Sequence, residues 1–573
     1  MILAKTNNPK ERYIKKEKIL LMLMPYWTPL IPPMGISCLK SFLQKYEYDI
    51  KTIDVNIIDE FREIYKQYFD ILEKNIDGSK RGNLYNIGHD VLQNHMMAHI
   101  NNSNEEEYIT LVKVLIYKNF YCNFKKNTIE DLNGIISNFY HRLERYILDL
   151  LAKEKPTTLG ISVFRGTLPA SLFTFKLVKE KNINIRTVMG GGIFSQEIVL
   201  GTPEFDFFLE KTPYIDNIII GEGEILFHKL LRGELDESKK VYTMKDIKNE
   251  VLDILSVDIP DFSDFHLHYY PNLAAYSSRS CPFQCNFCAE TVNWGKFRKK
   301  NAKFVVEELV KLYKKYGSQL FLMCDSLLNP IITELAKEFI KTDFSLYWDC
   351  YLRADKAVGN IKNTTLWRRG GLYRARLGLE SGSQYVLDLI KKGVTIDQIK
   401  AAISALASVG VKTSTMWIIG YPGETEEAFQ MTLDLMEELK NDIYEAECNH
   451  FRYFLSGQVN SDEWLNKSKQ LYPAKAKNML ITQTWILEDE PCREVVFKRI
   501  NRFVEHCSEL GIPNPYSMNE IYQAEERWKK LHKNAVPSLI DLKDKDMNID
   551  ECKNIGNLFY AEDLYRVDGD WGF

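Results

Sequence analysis

Three cysteines, Cys281, Cys285 and Cys288, lie within the segment Ser-Cys-Pro-Phe-Gln-Cys-Asn-Phe-Cys at residues 280–288. Their thiolates could bind three irons of a cubane [4Fe-4S] cluster and leave the fourth iron without a protein ligand. Such an open iron is a chemical site and not only an electron store. The alternative is a structural zinc site, but zinc usually needs a second Cys or His pair at short spacing, and none follows Cys288. A disulfide framework is unexpected in so large a chain.

The composition limits the class of protein. With 573 residues, 45% hydrophobic and 27% charged, the chain is typical of a globular protein with about three or four folded units. A net charge of -4 argues against a general nucleic-acid binder. The apolar run at residues 19–24 is too short to span a membrane or to form a signal core. Eleven cysteines, three of them clustered, favour a reducing cytoplasm.

Strand and helix patterns alternate at the start of the chain, with strands predicted at residues 18–24 and 49–54 and a helix between them. Residues 56–155 interrupt this alternation with a mainly helical period. A substrate lid, a peptide-binding surface or a packing element would each explain such an insertion. His95 and His99 share a helical face there, but without a carboxylate or cysteine pattern they are weak evidence for metal.

Glycines follow the later strands of this region. Strands are predicted at residues 158–163, 185–189 and 217–220, and the last two run into Gly190-Gly191-Gly192 and Gly221-Glu222-Gly223. Glycine at the carboxyl edge of a parallel sheet lets the polar groups of a ligand approach the backbone. Taken alone, each glycine run is better explained as a tight turn.

A regular strand–helix rhythm follows the three cysteines. Six strands with helices between them predict a partial (βα)6 barrel, short of the eight strands of a full barrel. Alternation places Asp349, Tyr351 and Arg353 on one face of the third strand, and Arg374 and Arg376 on one face of the fourth. Buried polar groups need partners. Either a ligand in a polar lumen or an internal salt-bridge network would supply them.

The last 120 residues are the least informative. Helical patterns at residues 493–510 and 521–532 suggest a small domain that closes the barrel mouth and helps to bind substrate. Cys492, Cys507 and Cys552 are too far apart for a second cluster.

Together these motifs resemble the radical S-adenosylmethionine (SAM) superfamily. The resemblance rests on Cys281, Cys285 and Cys288, on Phe287 before the last cysteine, and on the barrel motifs. It implies that the open iron chelates the amino and carboxylate groups of SAM and that reductive cleavage yields a 5′-deoxyadenosyl radical. It also implies an external one-electron reductant such as flavodoxin or ferredoxin.

The resemblance assigns SAM contacts to three strand ends. The segment 324–326 would meet the amino group of SAM, 378–383 the ribose, and 418–425 the adenine. Glu380 could accept two ribose hydroxyl hydrogen bonds, whereas Glu424 is expected rather to cap the next helix. Tyr351 and Cys324 are catalytic candidates by position only. The expected SAM-binding residues are Asp325, Ser326, Arg353, Glu380, Ser381, Gly420, Pro422 and Gly423.

Residues 15–56 and 155–235 resemble the cobalamin-binding domain that precedes the radical domain in one branch of the superfamily. The Asp-x-His-x-x-Gly motif that supplies a histidine to cobalt does not occur, so cobalt is expected to lack a histidine ligand. The expected cobalamin-binding residues are Pro33, Gly35, Ser162, Gly190, Gly191, Gly192, Gly221 and Glu222.

We therefore predict an α/β protein with four parts. Residues 1–235 form a Rossmann-like cobalamin-binding domain with a helical insertion at about 56–155, and 236–270 form a linker. Residues 271–455 form the partial barrel with its [4Fe-4S] cluster, and 456–573 form a mainly helical C-terminal extension, predicted to bind substrate.

The predicted reaction is methylation of an unactivated carbon, or of phosphorus, in a specialised metabolite or peptide. One SAM would methylate cobalamin, and a second would supply the radical. The main alternative is radical cyclisation or oxidation, in which cobalamin is non-methylating or absent. Methylthiolation of transfer RNA would require three more cluster cysteines and a basic C-terminal domain. A cobalamin sensor with an inactive barrel would not need the intact cysteine triad.

Overall fold

A computed structural model describes residues 17–255, 257–514 and 518–536 of the chain. Residues 1–16 and 537–573, with Cys552 and the end of the predicted C-terminal extension, lie outside the described residues. Two parallel six-stranded sheets organise the described chain. Within its described residues, no helix is both long enough and apolar enough to cross a membrane.

The first sheet forms the N-terminal region. The elements of this region are β1 (Lys18–Leu23), α1 (Met34–Gln44), β2 (Asp49–Asp54), α2 (Asp59–Asn75), α3 (Leu84–Asn101), α4 (Glu105–Phe120), α5 (Lys126–Glu154), β3 (Thr158–Ser162), α6 (Leu168–Lys181), β4 (Arg186–Gly190), α7 (Pro203–Lys211), β5 (Asn217–Ile220), α8 (Gly223–Leu231) and β6 (Val241–Thr243). The strand order is β2-β1-β3-β4-β5-β6, and all pairs are parallel.

Strand β1 shows why the sheet is covered on both faces. Its side chains alternate between two cores, so Ile19 and Leu21 pack with α1 and α8, whereas Leu20 and Met22 pack with the insertion helices. A strand buried on both faces reads as a continuous apolar run, as β1 does. The helical insertion predicted at residues 56–155 is therefore one wall of the N-terminal core.

The second sheet forms the predicted partial barrel. Its strand order is the sequential β14-β13-β12-β11-β10-β7, with all pairs parallel. The elements of this region are β7 (Leu273–Ala275), β8 (Ser278–Arg279), α9 (Glu290–Trp294), β9 (Arg298–Lys299), α10 (Ala302–Tyr316), β10 (Leu320–Met323), α11 (Ile332–Ile340), β11 (Tyr347–Leu352), α12 (Ile361–Arg369), β12 (Leu372–Glu380), α13 (Gln384–Leu389), α14 (Ile396–Ser408), β13 (Lys412–Ile419), α15 (Glu426–Glu438) and β14 (Glu445–His450).

The insertion also contacts the open edge of the barrel. At the start of α3, the Asn83 amide donates to the Cys448 carbonyl at 2.7 Å and the Asn86 amide donates to Asn449 Oδ1 at 2.6 Å. Both acceptors belong to the edge strand β14. An uncovered edge strand exposes unpaired backbone groups, and α3 supplies partners for this one.

The C-terminal region reaches both ends of the barrel. Helix α19 closes the amino end, where Glu525 accepts hydrogen bonds from Lys412 and Tyr444. Helix α18 packs on the outside of the barrel, with Phe503 against Trp417. The predicted closing element therefore lies mainly at the end opposite the barrel mouth. The elements are α16 (Ser461–Trp464), β15 (Ser468–Gln470), α17 (Lys477–Leu480), β16 (Trp485–Leu487), α18 (Arg493–Glu509) and α19 (Met518–Leu531).

Strand β6 lies inside the segment predicted as a linker. It pairs with β5 through Ile218–Val241, Ile219–Tyr242 and Ile220–Thr243. The N-terminal sheet thus extends beyond residue 235, and the predicted domain boundaries otherwise stay predictions.

Candidate active site

The cluster loop, residues 281–288, follows β7 and β8. Cys285 is buried, and Cys281 and Cys288 are partly exposed. Ser280, just before the loop, has a φ of 73°, in the left-handed region that residues other than glycine rarely adopt. Such backbone strain is found mostly at functional sites.

The three thiols face hydrogen-bond donors. Backbone N–H groups of Phe283 and Glu290 bond to the sulfurs of Cys281 and Cys288, and Arg353 Nη1 lies 3.8 Å from Cys285 Sγ. Burial raises the pKa of Cys281, and that of Cys288 to about 12. Iron must therefore displace the protons, and N–H donors then stabilise the thiolate charge. The donor set fits a [4Fe-4S] cluster.

Among residues 17–255, 257–514 and 518–536, no group of three or more His, Cys, Asp or Glu is arranged to hold a single metal ion. His95 is fully buried and is hydrogen-bonded to Tyr68, Tyr108 and Asn133. His99 bonds to the same Tyr108 hydroxyl. This pair is therefore part of a polar network in the insertion core.

The residues that anchor the cluster loop from the C-terminal side lie far from it in sequence and were not predicted. The Gln458 amide donates to the Phe287 carbonyl at 2.9 Å. The backbone N–H of Val459 donates to the Cys288 carbonyl, and that of Asn460 to the Asn286 carbonyl. From the barrel side, Asn286 donates to the carbonyls of residues 389 and 390. Segment 458–460 has no local motif that would have identified it.

Asp325 and Ser326 hold the entry to the cluster loop. Asp325 is buried and accepts hydrogen bonds from the backbone N–H and hydroxyl of Ser277 and from the Ser278 hydroxyl. Ser326 donates to Glu290, just after the loop. Both residues thus position the two ends of the loop, and their predicted SAM contacts stay predictions.

Glu380 ends β12 in a strained conformation, with a φ of 65°. Its carboxylate accepts a 2.6 Å hydrogen bond from the buried Lys392. Burial disfavours the ammonium charge, but Glu380 outweighs that effect and raises the pKa of Lys392. A Cβ at Gly378 would lie 2.7 Å from the Glu380 carboxylate, so only glycine leaves room for this pair. The neighbouring Ser381 is fully buried, and its hydroxyl accepts from the Ser383 N–H.

The segment predicted to lie beside adenine is fixed by α18. Glu424 accepts hydrogen bonds from the Gly420 N–H and from Arg499, both at 2.9 Å. The cap of α15 is instead Thr425, whose hydroxyl accepts from the Ala428 N–H. Glu424 therefore fixes the turn at residues 420–423, which contains the three predicted SAM residues Gly420, Pro422 and Gly423.

Polar side chains on the lumen face lie in layers along the strands. One layer contains Cys324, Tyr351 and Arg376, and burial raises the pKa of the Cys324 thiol and of the Tyr351 phenol. In the layer below, Asp349 pairs with Arg374 at 2.6 Å and with Arg376 at 2.9 Å. The predicted internal salt-bridge network is therefore present. The pKa shifts keep Cys324 and Tyr351 protonated, as a hydrogen donor requires.

Three exposed glycines lie at the carboxyl edge of the N-terminal sheet. Gly35 lies in the first turn of α1, Gly191 follows β4 and Gly221 follows β5. A Cβ at Gly35 would meet no atom within 4 Å, whereas one at Gly191 would collide with the Val163 backbone. The three glycines leave backbone open at this edge, which fits a broad flat ligand such as a corrin. Pro33, Ser162, Gly190 and Gly192 lie at the same edge.

The expectation that cobalt has no histidine ligand stays a prediction. His89 of α3 lies beside Gly166, shortly after the carboxyl end of β3: a Cβ at Gly166 would be 3.2 Å from the imidazole.

Two arginines join this edge to the cluster loop. Arg279, two residues before Cys281, pairs with Glu222 at 2.8 Å and with Glu224 at 2.7 Å. Arg298 also pairs with Glu222. The Glu222 carboxylate is thus engaged in ion pairs with the antiparallel pair β8–β9 that flanks the cluster loop, and its predicted contact with cobalamin stays a prediction. The ion pairs hold the glycine edge next to the cluster loop.

Comparison with known proteins identifies the family. Residues 276–436 match the radical SAM superfamily. Over 466 residues the chain is 31% identical to the cytidylyl-2-hydroxyethylphosphonate methyltransferase of Streptomyces wedmorensis, covering 71% of this chain and 73% of that protein. The chain belongs to the radical SAM superfamily. It is also 27% identical to the anaerobic magnesium-protoporphyrin IX monomethyl ester cyclase of Rubrivivax gelatinosus, over 52% of this chain but only 57% of that relative's length.

Solved structures share the two-sheet architecture of this radical SAM protein. The radical SAM methyltransferase TsrM of Kitasatospora setae, with cobalamin and a [4Fe-4S] cluster bound, matches with a TM-score of 0.54 and 13% identity over 86% of this chain and 88% of that one. The cobalamin-dependent SAM radical enzyme OxsB, with aqua-cobalamin and SAM bound, matches with a TM-score of 0.50 and 16% identity over 88% of this chain and 63% of that one. The predicted fold class and the predicted radical SAM superfamily are confirmed. Between them, the two solved structures hold cobalamin, SAM and a [4Fe-4S] cluster.

Proposed function

We propose that this protein is a cobalamin-dependent radical SAM enzyme that methylates an unactivated carbon, or phosphorus, of a small metabolite or peptide. The observation that carries the proposal is the pairing of Arg279 and Arg298 with Glu222 and Glu224. These ion pairs hold the glycine-rich edge of the N-terminal sheet beside the three-cysteine loop. A methyl donor on one sheet and a radical source on the other would then share one substrate.

The chain's own residues would hold and orient these groups. Cys281, Cys285 and Cys288 would ligate the cluster, and Arg353 would stabilise the charge at Cys285. Bound together, the cluster, SAM and cobalamin would supply the radical and the methyl group.

Glu380, held by Lys392, is proposed to accept the ribose hydroxyls. The turn at residues 420–423, held by Glu424, would lie beside the adenine. Tyr351 and Cys324 would be the protonated side chains of the lumen, deeper in the barrel than Glu380. The exposed glycines at residues 35, 191 and 221 would receive the corrin.

Radical cyclisation or oxidation is the second candidate. The relatives named as magnesium-protoporphyrin ester cyclases favour it. The match with this chain covers only a little more than half of their length. The residues that hold the cluster would serve either reaction. The methyl label on SAM distinguishes the two, because only a methyltransferase places it in the product.

Anaerobic purification with cluster reconstitution and cobalamin supply tests the proposal. We expect about four irons per chain, the content of one cubane cluster, and one tightly bound cobalamin, measured by metal analysis, absorbance and mass spectrometry. A chemical reductant, followed by flavodoxin or ferredoxin as the proposed partner, should drive SAM cleavage. A full cluster without cobalamin would contradict methyl transfer and leave cyclisation or oxidation as the function.

The remaining expectations are also proposals. The domain boundaries, with β6 added to the N-terminal domain, can be tested by limited proteolysis of the segment between β6 and β7. The predicted cytoplasmic location can be tested by fractionating cells of the source organism.

A further inference from the structure

A cavity of about 900 Å³, which includes space open to solvent, lies beside the carboxyl ends of β13 and β14. Its wall combines three parts of the chain: the insertion at Asp90 and Asn119, the barrel at Gly420 and His450, and the C-terminal region at residues 484–500. Because Gly420 and Pro422 also belong to the predicted SAM segment, the cavity lies next to that site.

Arg493 is the unusual charge in this wall. Its Nη2 donates to Asn119 Oδ1 at 2.8 Å and its Nε donates to the Lys118 carbonyl at 3.2 Å. Both acceptors are neutral, and within the part of the chain that the structure describes Arg493 makes no ion pair with a carboxylate. A guanidinium has five N–H donors in a fixed fork, and the pair on Nη1 has no acceptor among the described residues.

The acidic groups of the wall are engaged elsewhere. Asp90 interacts with Arg165 at 3.5 Å and with Arg452 at 3.3 Å. Asp489 pairs with Lys467 at 2.7 Å. The exposed Glu490 carboxylate accepts from the Cys492 N–H at 2.9 Å. None of these carboxylates forms an ion pair with Arg493; Asp90 interacts with it only at longer range.

The rest of the wall is largely apolar and aromatic. It includes Tyr121, Phe451, Trp485, Val496 and Phe497. A ligand that fills this cavity would place an apolar or planar part against these side chains, with a charged group at Arg493.

We propose that the cavity binds a substrate with an oxyanion, a carboxylate or a phosphate-type group, and that Arg493 receives this group while the aromatic wall holds the apolar remainder. The inference rests on the proposed function, because it takes the cavity as the substrate site of the radical reaction. Arginine suits this role because its planar fork matches both types of oxyanion.

The pKa of the neighbouring His450 is also shifted by the positive charge in this wall. Burial, with Arg493 and Arg452 nearby, lowers the pKa of His450 to about 3, against the opposing effect of Asp90. His450 is therefore neutral near pH 7 and leaves the positive charge to the arginines.

Calorimetric titration of the full-length chain, before and after cofactor reconstitution, tests the inference. The probes are phenylphosphonate and phenylacetate, with benzyl alcohol as the uncharged analogue. The variants are R493Q, R493K and the control K498Q, which removes one exposed positive charge from the same helix. We expect R493Q to bind the anionic probes about 10- to 100-fold more weakly, as for loss of a hydrogen bond to a charged group. K498Q should bind like wild type, and R493K should recover only part of the affinity, because lysine keeps the charge but not the fork.

Three outcomes would overturn the inference: no binding of either anion to the wild type at millimolar concentration, equal binding to wild type and R493Q, or loss of cobalamin from R493Q. The stronger of the two anions identifies the kind of oxyanion. Failure of the proposed function would appear separately, as missing iron, missing cobalamin or absent methyl transfer in a wild-type chain that still binds the probes through Arg493.

Discussion

The two ends of the barrel differ in whether their buried charged side chains have hydrogen-bond partners. At the amino end, Glu525 accepts hydrogen bonds from Lys412 at 2.7 Å and from Tyr444 at 2.9 Å, and the side chains of this pair are almost completely buried. Towards the carboxyl end, Oε1 of Glu447 and Oε1 of Glu424 have no hydrogen-bond partner among the described residues, and Arg493 has no carboxylate. An unpaired buried polar group costs free energy.

One end of the same strands therefore serves stability, and the other end serves ligand binding. At the closed end, Lys412, Tyr444 and Glu525 form one complete hydrogen-bonded group, which fixes α19 against the barrel. The open end has polar groups that lack partners, near the cluster loop and the cavity, where a bound ligand can supply those partners. The comparison predicts that changes at the closed end reduce stability and changes at the open end reduce cofactor or substrate binding.

The largest effect is expected at the cluster loop. C285A should lower the iron content from about four per chain to background and abolish SAM cleavage, because two thiolates cannot hold a cubane cluster with one open iron. Iron analysis and product chromatography measure both. C492A, which removes an exposed cysteine, is the matched control. A C285A protein with a full cluster would contradict the assignment of the ligands.

A large loss of stability is expected at the closed end. E525A should lower the free energy of unfolding by about 3–5 kcal/mol, because it leaves Lys412 charged and buried without its partner. Urea unfolding followed by circular dichroism measures this change.

The neighbouring E526A is the control, since Glu526 is exposed. The double variant K412M/E525L should recover much of the loss. If E525A were as stable as wild type, the proposed difference between the two ends of the barrel would be wrong.

A pH-dependent effect is expected in the lumen. Burial, and then the nearby Glu445, raise the pKa of Glu447 above its ordinary value near 4.5, while Arg374 and Arg376 oppose the shift. Folded Glu447 keeps its proton to higher pH than the unfolded chain does. The free energy of unfolding therefore falls as the pH rises from about 4.5 towards the raised pKa.

E447Q should make this pH slope shallower and should be more stable than wild type at pH 8. Unfolding curves at several pH values measure the slope. Identical slopes for the variant and the wild type would contradict the raised pKa of Glu447 at the open end.

The smallest effect is expected at the anchor of the cluster loop. Q458L removes hydrogen bonds to Phe287 and Arg452 that are each worth about 1 kcal/mol. The folded protein should assemble its cluster but lose iron several-fold faster to a chelator. Q430L, at an exposed position on α15, is the control. Equal rates of iron loss would show that the loop does not depend on Gln458.

Much of the barrel could be predicted because its strands and helices have strong local periodicity. The six strands with helices between them that were predicted for residues 271–455 are observed as β7 and β10–β14. The cluster loop was found because three ligands lie close together in sequence.

The remaining site residues depend on contacts between distant segments. Strand β6 has three residues in a polar stretch, so no pattern marked it. Glu222 was assigned from a glycine-rich run, yet its partners are arginines 57 and 76 residues away. Gln458, Lys392 and Arg493 carry no motif of their own, and only the folded chain brings them to the site.

The anchor of the cluster loop also sets an order of events during synthesis. Phe287 and Gln458 are 171 residues apart. At about 5–20 residues per second, the ribosome needs roughly 10 to 30 s to cover that interval. Throughout that time three thiols are present on a loop that lacks its final hydrogen bonds, so oxidation of the nascent chain competes with iron insertion. Oxygen exclusion therefore matters from translation onward, before any cofactor is bound.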